Sequence, residues 1–244
     1  MRISRIYIKD ILTSGRELCL EGERAHYLKT VLRVKKGYQV TLFNGSGLDF
    51  SATVLALGRD TVTFELGASS IISKESPLHT HLALGITRGE KMDFTIQKAV
   101  ELGVSKITPL LTKNAVVRLD HERRDIKKGH WERVMISACE QSGRSTLPMI
   151  EEPTEFSGWI AEQSGLKLLL DPLAHAGFGN IKPQQGQGLL FLTGPEGGLA
   201  PEERDWAVES GFIPVKVGPR TLRAETAGLV AVASAQLLWG DLSS

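Results

Sequence analysis

Two glycine-rich turns near the C-terminus, each directly after a short apolar run, constrain the fold of this chain most. The first follows the run 189–192 and reads Thr-Gly-Pro-Glu-Gly-Gly at 193–198. The second follows the run 215–217 and begins Gly-Pro-Arg-Thr-Leu-Arg, about 20 residues further on. In open α/β sheets, ligands bind where strands end in turns of this kind. The pattern therefore predicts two neighbouring strands that present backbone amides to one ligand.

Neither turn contains GxGxxG or GxxxxGK[ST], the sequences that cradle phosphates in dinucleotide-binding and P-loop proteins. A nicotinamide-dependent oxidoreductase is therefore disfavoured. The turns indicate a ligand that approaches glycine backbone closely, where a Cβ atom would collide.

The pattern along the chain changes near residues 67–77, a stretch rich in Gly, Ala, Ser and Ile, and this predicts a domain boundary between 72 and 73. Residues 1–72 read as short alternating strands with one helix at 21–31, which indicates a small β-barrel. Residues 73–244 read as alternating strands and helices around a mostly parallel sheet. The predicted strands are 5–8, 38–43, 50–57, 61–66, 79–86, 104–111, 167–170, 189–192 and 215–217; the later helices are 90–102, one ending at 143, one from 201 to 211, and 225–239.

Composition points to a protein of the reducing cytoplasm. Cys19 and Cys139 are the only cysteines, far apart and outside any metal-binding motif, so no zinc or other metal site is expected. The N-terminus lacks the apolar segment of a signal peptide, and no apolar stretch reaches the roughly 20 residues that span a bilayer. We expect neither membrane association nor a metal.

The charge is unevenly distributed, although the net charge is only +1. Residues 1–72 carry ten Lys and Arg against seven Asp and Glu, and the remainder carries 19 against 21. A modestly basic N-terminal part is compatible with an RNA-facing module and also with ordinary surface variation.

The last predicted helix is apolar on almost every side, and an apolar helix must be buried on every side. Either it lies inside the core, or one face packs on its own sheet and another on a second subunit. The second arrangement is favoured, because a C-terminal helix is seldom covered completely by its own chain. We therefore expect a homodimer formed through this helix.

Five separated motifs, in order, resemble the ribosomal RNA small-subunit methyltransferase E family. The two glycine-rich turns carry the strongest similarity. The others are Lys-Met-Asp-Phe at 91–94 with 97–104, Glu-Gln-Ser-Gly-Arg at 140–144, and His-Tyr-Leu at 26–28 with Val-Leu-Arg at 31–33. Together they cover nearly the whole chain.

The resemblance implies a fold, a cofactor and a reaction. The fold is a PUA-like β-barrel followed by a SPOUT methyltransferase domain, an α/β domain with a trefoil knot. The cofactor is S-adenosylmethionine, and the reaction is methylation of N3 of a uridine in the decoding region of 16S ribosomal RNA of the small subunit. The family works as a homodimer.

Both turns are expected to bind the cofactor. The glycines let the backbone approach adenine and ribose, apolar residues cover the adenine, and Glu196 bonds to the ribose. The expected cofactor-binding residues are Leu192, Thr193, Gly194, Glu196, Gly197, Gly198, Val217, Gly218, Leu222 and Thr226.

Arg223 and Arg144 are the expected catalytic arginines, because a guanidinium stabilises negative charge that develops on the base oxygens when N3 loses its proton. Glu225 either caps the last helix or orients Arg223. The motifs leave the general base unassigned.

A basic run near 113–133, together with several N-terminal arginines, is expected to contact the phosphates of RNA. Alternatively, this run is a loop and helix that face solvent. The expected RNA-binding residues are Arg2, Arg5, Arg33, Arg118, Arg123, Arg124, Lys127 and Lys128. The alternatives left open are a related methyltransferase acting on another RNA such as transfer RNA, and a non-catalytic RNA-binding protein.

Overall fold

A computed structural model describes residues 4–71, 74–115 and 119–243. The chain forms two compact units. The first comprises the described residues up to Glu75 together with Cys139–Leu147, and the second comprises Ser76–Ala138 and the described residues from Pro148 onward. The predicted boundary at 72/73 lies outside the described residues.

The first unit is a five-stranded mixed sheet with one helix. The strand order is β1-β3-β4-β5-β2, with β1 parallel to β3 and the other neighbours antiparallel. Alternation along the strands buries every second side chain in one apolar core that includes Ile8, Leu42 and Phe64. The elements are β1 (Ser4–Tyr7), β2 (Glu17–Glu21), α1 (Gly22–Thr30), β3 (Gln39–Phe43), β4 (Asp49–Leu57) and β5 (Thr61–Ser70).

The second unit is built on a parallel sheet. Its order is β12-β10-β11-β6-β7-β8, with the two-residue strand β9 also paired to β7. Central strands in such sheets are covered on both faces, which is why β11 is buried at every position. The strands are β6 (Thr80–Gly85), β7 (Lys106–Leu111), β8 (Met149–Ile150), β9 (Thr154–Glu155), β10 (Leu166–Leu170), β11 (Leu189–Thr193) and β12 (Ile213–Val215).

Helices connect these strands. None of those in the described part of the chain is long and apolar enough to cross a membrane. The helices are α2 (Gly89–Glu101), α3 (His121–Ser142), whose last turn belongs to the first unit, α4 (Phe156–Trp159), α5 (Pro201–Glu209) and α6 (Ala224–Trp239); short 3-10 turns lie at Ile160–Glu162 and Phe178–Asn180.

Both faces of the parallel sheet carry apolar layers. On one face, Leu190 and Leu192 pack with Trp159 and Phe212. On the other, Phe178 stacks between Phe191 and Trp239 of α6, at centroid distances of 5.9 and 5.7 Å. The helix approaches the sheet closely, since a Cβ added at Gly228 would lie 3.0 Å from Leu82 Cδ1.

The predicted fold is confirmed, with differences in detail. The last strand lies at 213–215 rather than 215–217, so Val217 belongs to the turn that follows it. Strand β2 was not predicted, and neither were β8 and β9, which at two residues each have no readable alternation.

Candidate functional site

A cavity of about 590 Å³ lies at the carboxyl ends of β10, β11 and β12. Because these strands are parallel and adjacent, the turns that follow them meet at one edge of the sheet. The two glycine-rich turns and the turn after β10 all line this cavity. All of its lining residues belong to the second unit.

The first glycine-rich turn is a tight bend. Gly198 N–H donates to the Pro195 carbonyl at 2.9 Å, which closes a four-residue turn. Gly194 lies directly against this bend, because an added Cβ would come within 2.6 Å of Leu199 N. Gly198 has φ +69°, a conformation that strains other residues. Glycine is therefore needed at 194 for space and at 198 for backbone conformation.

The second turn leads into the last helix. Gly218 has φ +73° and opens the turn after β12. Arg223 is the N-cap residue of α6 and has an extended backbone. The side chains from Arg220 to Glu225 line the cavity, so it has apolar, cationic and anionic groups on one wall.

Lys91 on α2 lies between two carboxylates of the cavity. Its Nζ is 3.4 Å from Glu196 Oε1 and 3.8 Å from Glu225 Oε1. Burial acts to raise the pKa of Glu196, but hydrogen bonds from its own amide, from Arg88 N–H and from Lys91 hold that pKa below its usual range.

One carboxylate oxygen of the cavity has no protein donor. Oε2 of Glu225 is buried, and no residue of the described chain donates a hydrogen bond to it. A buried carboxylate oxygen is costly to leave unpaired, so a ligand donor is expected there. Asp171, after β10, is by contrast fully paired: Oδ2 accepts from Arg204 Nε at 2.7 Å and Oδ1 from Leu173 N–H at 2.8 Å.

The structure brings most of the expected cofactor residues together. Thr193, Gly194, Glu196, Gly197, Gly198, Val217, Gly218 and Leu222 line the cavity, as do Arg223 and Glu225.

Leu192 and Thr226 are not among the lining residues. Alternation along β11 turns the Leu192 side chain into the layer with Trp159 and Phe212, where it is fully buried. Thr226 lies on the exposed side of α6. The expectation that Leu192 forms an apolar wall is therefore corrected.

The expected pairing of Glu225 with Arg223 is also absent among the described residues, where the cation paired with Glu225 is Lys91.

The surroundings of Arg144 differ from those expected of a catalytic arginine. It belongs to the first unit, is only 5% exposed, and donates from Nε and Nη2 to Glu75 Oε2 at 2.9 and 2.6 Å. A buried guanidinium without a partner is costly, and Glu75 supplies that partner within the first unit.

Arg5 is likewise committed within the first unit. Its guanidinium pairs with the buried carboxylate of Asp49 and donates to Ser145 Oγ at 3.1 Å. Arg33 differs, because it is exposed and has φ +51°, an uncommon conformation for a residue with a side chain. Arg2 and Arg118 lie outside the described residues.

The basic residues of α3 are partly neutralised by neighbours. Arg124 pairs with Glu155, Lys128 lies 3.5 Å from Glu152, and Arg123 lies 3.6 Å from Asp120. Lys127 is half-buried. The carboxylates of these pairs are exposed, as is Arg123, whereas Arg124 and Lys128 are half-buried. Ion pairs with exposed partners are weak, so phosphates can still compete for the cations.

The polar lining residues that sequence reasoning did not assign to the site are Lys91, Asp171, Arg204, Arg220 and Thr221. Asn114, which contacts the first glycine-rich turn without lining the cavity, was also missed. Asp171 follows the apolar run of β10 directly, so the rule applied to the other two strands also applies to it. Asn114, whose amide Nδ2 lies 3.3 and 3.2 Å from the Gly197 and Gly198 carbonyl oxygens, comes from a distant loop that no local pattern marks. Within the described residues, no group of three or more His, Cys, Asp or Glu side chains is arranged to hold a metal ion.

Comparison with known proteins agrees with this geometry. Residues 74–236 match the model of an RNA methyltransferase domain, and residues 20–67 match that of an RNA methyltransferase PUA domain. The ribosomal RNA small subunit methyltransferase E of Buchnera aphidicola subsp. Schizaphis graminum is 37% identical, over 99% of each chain. The same-named protein of Bacillus subtilis is 27% identical, over 91% of this chain and 92% of its own.

A solved structure extends the similarity to three dimensions. The ribosomal RNA small subunit methyltransferase E of Neisseria gonorrhoeae, bound to S-adenosyl methionine, superimposes with a TM-score of 0.93 at 36% identity. The match covers 98% of this chain and 99% of that one.

Proposed function

Because the chain belongs to the ribosomal RNA small subunit methyltransferase E family, we propose that it methylates N3 of a uridine in the decoding region of 16S ribosomal RNA. S-adenosylmethionine is the methyl donor, as the bound cofactor of the Neisseria gonorrhoeae relative supports. The observation that carries the proposal is the cavity lined by both glycine-rich turns at the ends of adjacent parallel strands.

The residues of the cavity fit this cofactor. The glycines at 194 and 198 have no side chain, so a ligand can approach their backbone closely. Leu170, Val217 and Leu222 offer apolar surface for an adenine ring. The unpaired Oε2 of Glu225 is an acceptor for an N–H or O–H group of a ligand. When bound, the sulfonium group supplies an already activated methyl carbon.

The protein then has to orient the base and stabilise charge. Loss of the N3 proton places negative charge on the uracil ring and its oxygens. Arg223, exposed at the cavity wall as the N-cap residue of α6, is the guanidinium that stabilises this charge. Lys91 lies between the carboxylates of Glu196 and Glu225 and orients both.

Basic side chains, exposed or half-buried, contact the RNA. Arg33, Arg123, Arg124, Lys127 and Lys128 are the contacts that we propose among the described residues. Such contacts with phosphates fix the position of the substrate and make binding depend on salt. Arg5, expected among these contacts, pairs with Asp49 and is left out of the set. Arg144, expected as a catalytic arginine, pairs with Glu75 and is left out of the proposed mechanism.

We also propose that the protein is a homodimer formed through α6. Leu237 and Leu238 are 55% and 54% exposed, next to the buried Gln236, and Leu242 just beyond the helix is 49% exposed. A cluster of large exposed apolar side chains at the end of an apolar helix is typical of a subunit interface.

The decisive experiment is methyl transfer from labelled S-adenosylmethionine to small ribosomal subunits that lack the modification, with the product nucleoside identified. We expect 3-methyluridine. If the protein binds the cofactor and methylates transfer RNA but not these subunits, transfer RNA is the substrate instead. Neither binding nor transfer would favour a non-catalytic RNA-binding protein.

A further inference from the structure

We propose that Asn114, in the loop after β7, is a positioning residue that sets the conformation of the first glycine-rich turn for cofactor binding. The inference rests on the proposed function of that turn. Asn114 is neither a lining residue of the cavity nor part of either glycine-rich motif. It acts through the backbone of Gly197 and Gly198.

The contact is specific in its chemistry. Nδ2 of Asn114 donates to the carbonyl oxygens of Gly197 and Gly198, at 3.3 and 3.2 Å. Both partners are acceptors only, so the side chain must present its NH₂ group rather than its oxygen. An aspartate of nearly the same shape would face two carbonyl oxygens with a carboxylate.

Backbone hydrogen bonds fix the loop that carries Asn114. Ala115 N–H donates to the Thr112 carbonyl at 3.1 Å, which closes a turn around residues 113 and 114. Lys113 N–H donates to Oε1 of Glu203 at 2.8 Å, and Oε2 of the same buried carboxylate accepts from Ala200 N–H at the start of α5. The backbone that carries Asn114 is therefore fixed to the first turn of α5.

The peptide unit between Gly198 and Leu199 is held at two points. Its carbonyl oxygen accepts from Asn114, and its nitrogen lies against Gly194, where an added Cβ would come within 2.6 Å. Packing adds to this, since a Cβ added at Gly197 would lie 3.2 Å from Asn114 Cβ. Because Gly197 and Gly198 are permissive residues, their peptide planes can rotate unless a neighbour fixes them.

A role limited to stability is a poor explanation of this contact. Asn114, Gly197 and Gly198 are all exposed, so water replaces the lost hydrogen bonds when the side chain is removed. The free energy of unfolding is then little changed, whereas the orientation of the turn, and with it the affinity for the cofactor, is lost. Preorganisation of this kind appears as binding affinity.

The test is calorimetric binding of S-adenosylmethionine to the full-length protein and to Asn114→Asp, Asn114→Ala and Lys113→Gln. Asn114→Ala removes two hydrogen bonds, and we expect this loss to raise the Kd for S-adenosylmethionine about tenfold. A larger increase is expected for Asn114→Asp. Lys113→Gln is the matched control, since it removes the neighbouring exposed ion pair with Glu202 and keeps the backbone bonds.

Thermal unfolding separates positioning from folding. We expect melting temperatures of all three variants close to that of the unmodified protein. In turnover assays, the two Asn114 variants should show a raised KM for the cofactor with an unchanged kcat, and Lys113→Gln should show neither change. Unchanged Kd in both Asn114 variants would overturn the role of Asn114. Failure of the unmodified protein to bind S-adenosylmethionine would instead overturn the proposed function.

Discussion

At the scale of single residues, Glu225 offers the sharpest test of the site. It is the one lining carboxylate with a buried oxygen that no group of the described chain satisfies. Glu225→Gln keeps the shape but removes the charge and replaces one acceptor with a donor. We expect a loss of about 10²-fold or more in methyl transfer, with folding retained. Single-turnover rates at saturating cofactor would measure it.

The matched control is Glu90→Gln, at the start of α2. Both glutamates lie in the first turn of a helix, but Glu90 is exposed whereas Glu225 has a buried oxygen. Unchanged single-turnover rates are expected for it. Equal rates in both variants would show that the unpaired oxygen has no part in the reaction.

A second prediction at this scale concerns His81 on β6. Burial, and next the positive charge of Lys106, lower its pKa from 6.5 to about 4. Its Nε2 lies 2.6 Å from Thr108 Oγ1, which donates to Glu151, so His81 Nε2 carries the proton and donates to Thr108. The folded protein therefore holds this histidine neutral, whereas the unfolded chain binds a proton near pH 6.5.

Stability contributed by a depressed pKa is fully present above pH 6.5 and is lost as the pH falls toward 4. At pH 5 the loss is about 2 kcal/mol, from the ordinary and lowered pKa values. Denaturant unfolding between pH 7 and 5 should show it, and His81→Gln, which keeps the Nε2 donor, should flatten the slope. An equally steep slope in that variant would contradict the assignment. Glu151 contributes only at lower pH, since its own usual pKa is 4.5.

At the scale of elements, the turn after β11 depends on the left-handed backbone of Gly198. A β-branched residue is strongly disfavoured at φ +69°, although no atom lies within 4 Å of the added Cβ. Gly198→Val should therefore deform the turn and raise the Kd for S-adenosylmethionine at least about tenfold. Calorimetry would measure this.

Gly186→Val is a close control for that variant. Gly186 has φ +75°, also with nothing within 4 Å, but it lies in the loop before β11 and does not line the cavity. Both substitutions impose the same kind of strain, so a comparable loss of stability is expected in each. If Gly186→Val weakens cofactor binding as much as Gly198→Val, general strain rather than the site explains the effect.

Local sequence predicted the elements well because periodicity and turn chemistry are local. The runs at 189–192 and 201–211 became β11 and α5, with Pro201 in the first turn, as its fixed φ favours. Leu192 was misjudged because sequence does not tell which face of a doubly covered strand meets the ligand. Sequence did not reveal that Arg144 pairs with Glu75, because this partner lies 69 positions away and no local pattern indicates such a pairing.

At the scale of the whole molecule, the folded chain leaves the end of α6 exposed. Its inner face packs on β6 and β11, which accounts for the buried alanines and Gly228, but not for Leu237 and Leu238, both more than half exposed. Sequence periodicity could not separate these two faces, because the helix is apolar on both. The proposed homodimer explains why apolar residues occupy the outer one.

Leu237→Glu combined with Leu238→Glu should convert the dimer to a monomer, because two carboxylates buried in an apolar interface cannot be neutralised by pairing. Light scattering coupled to size-exclusion chromatography would show the change in mass. Ile126→Glu is the control: Ile126 on α3 is 62% exposed, so it tests whether any exposed charge has this effect. A dimer that persists in the double variant would exclude α6 as the interface. A monomeric unmodified protein would instead exclude the dimer, and the exposed leucines would then need another partner.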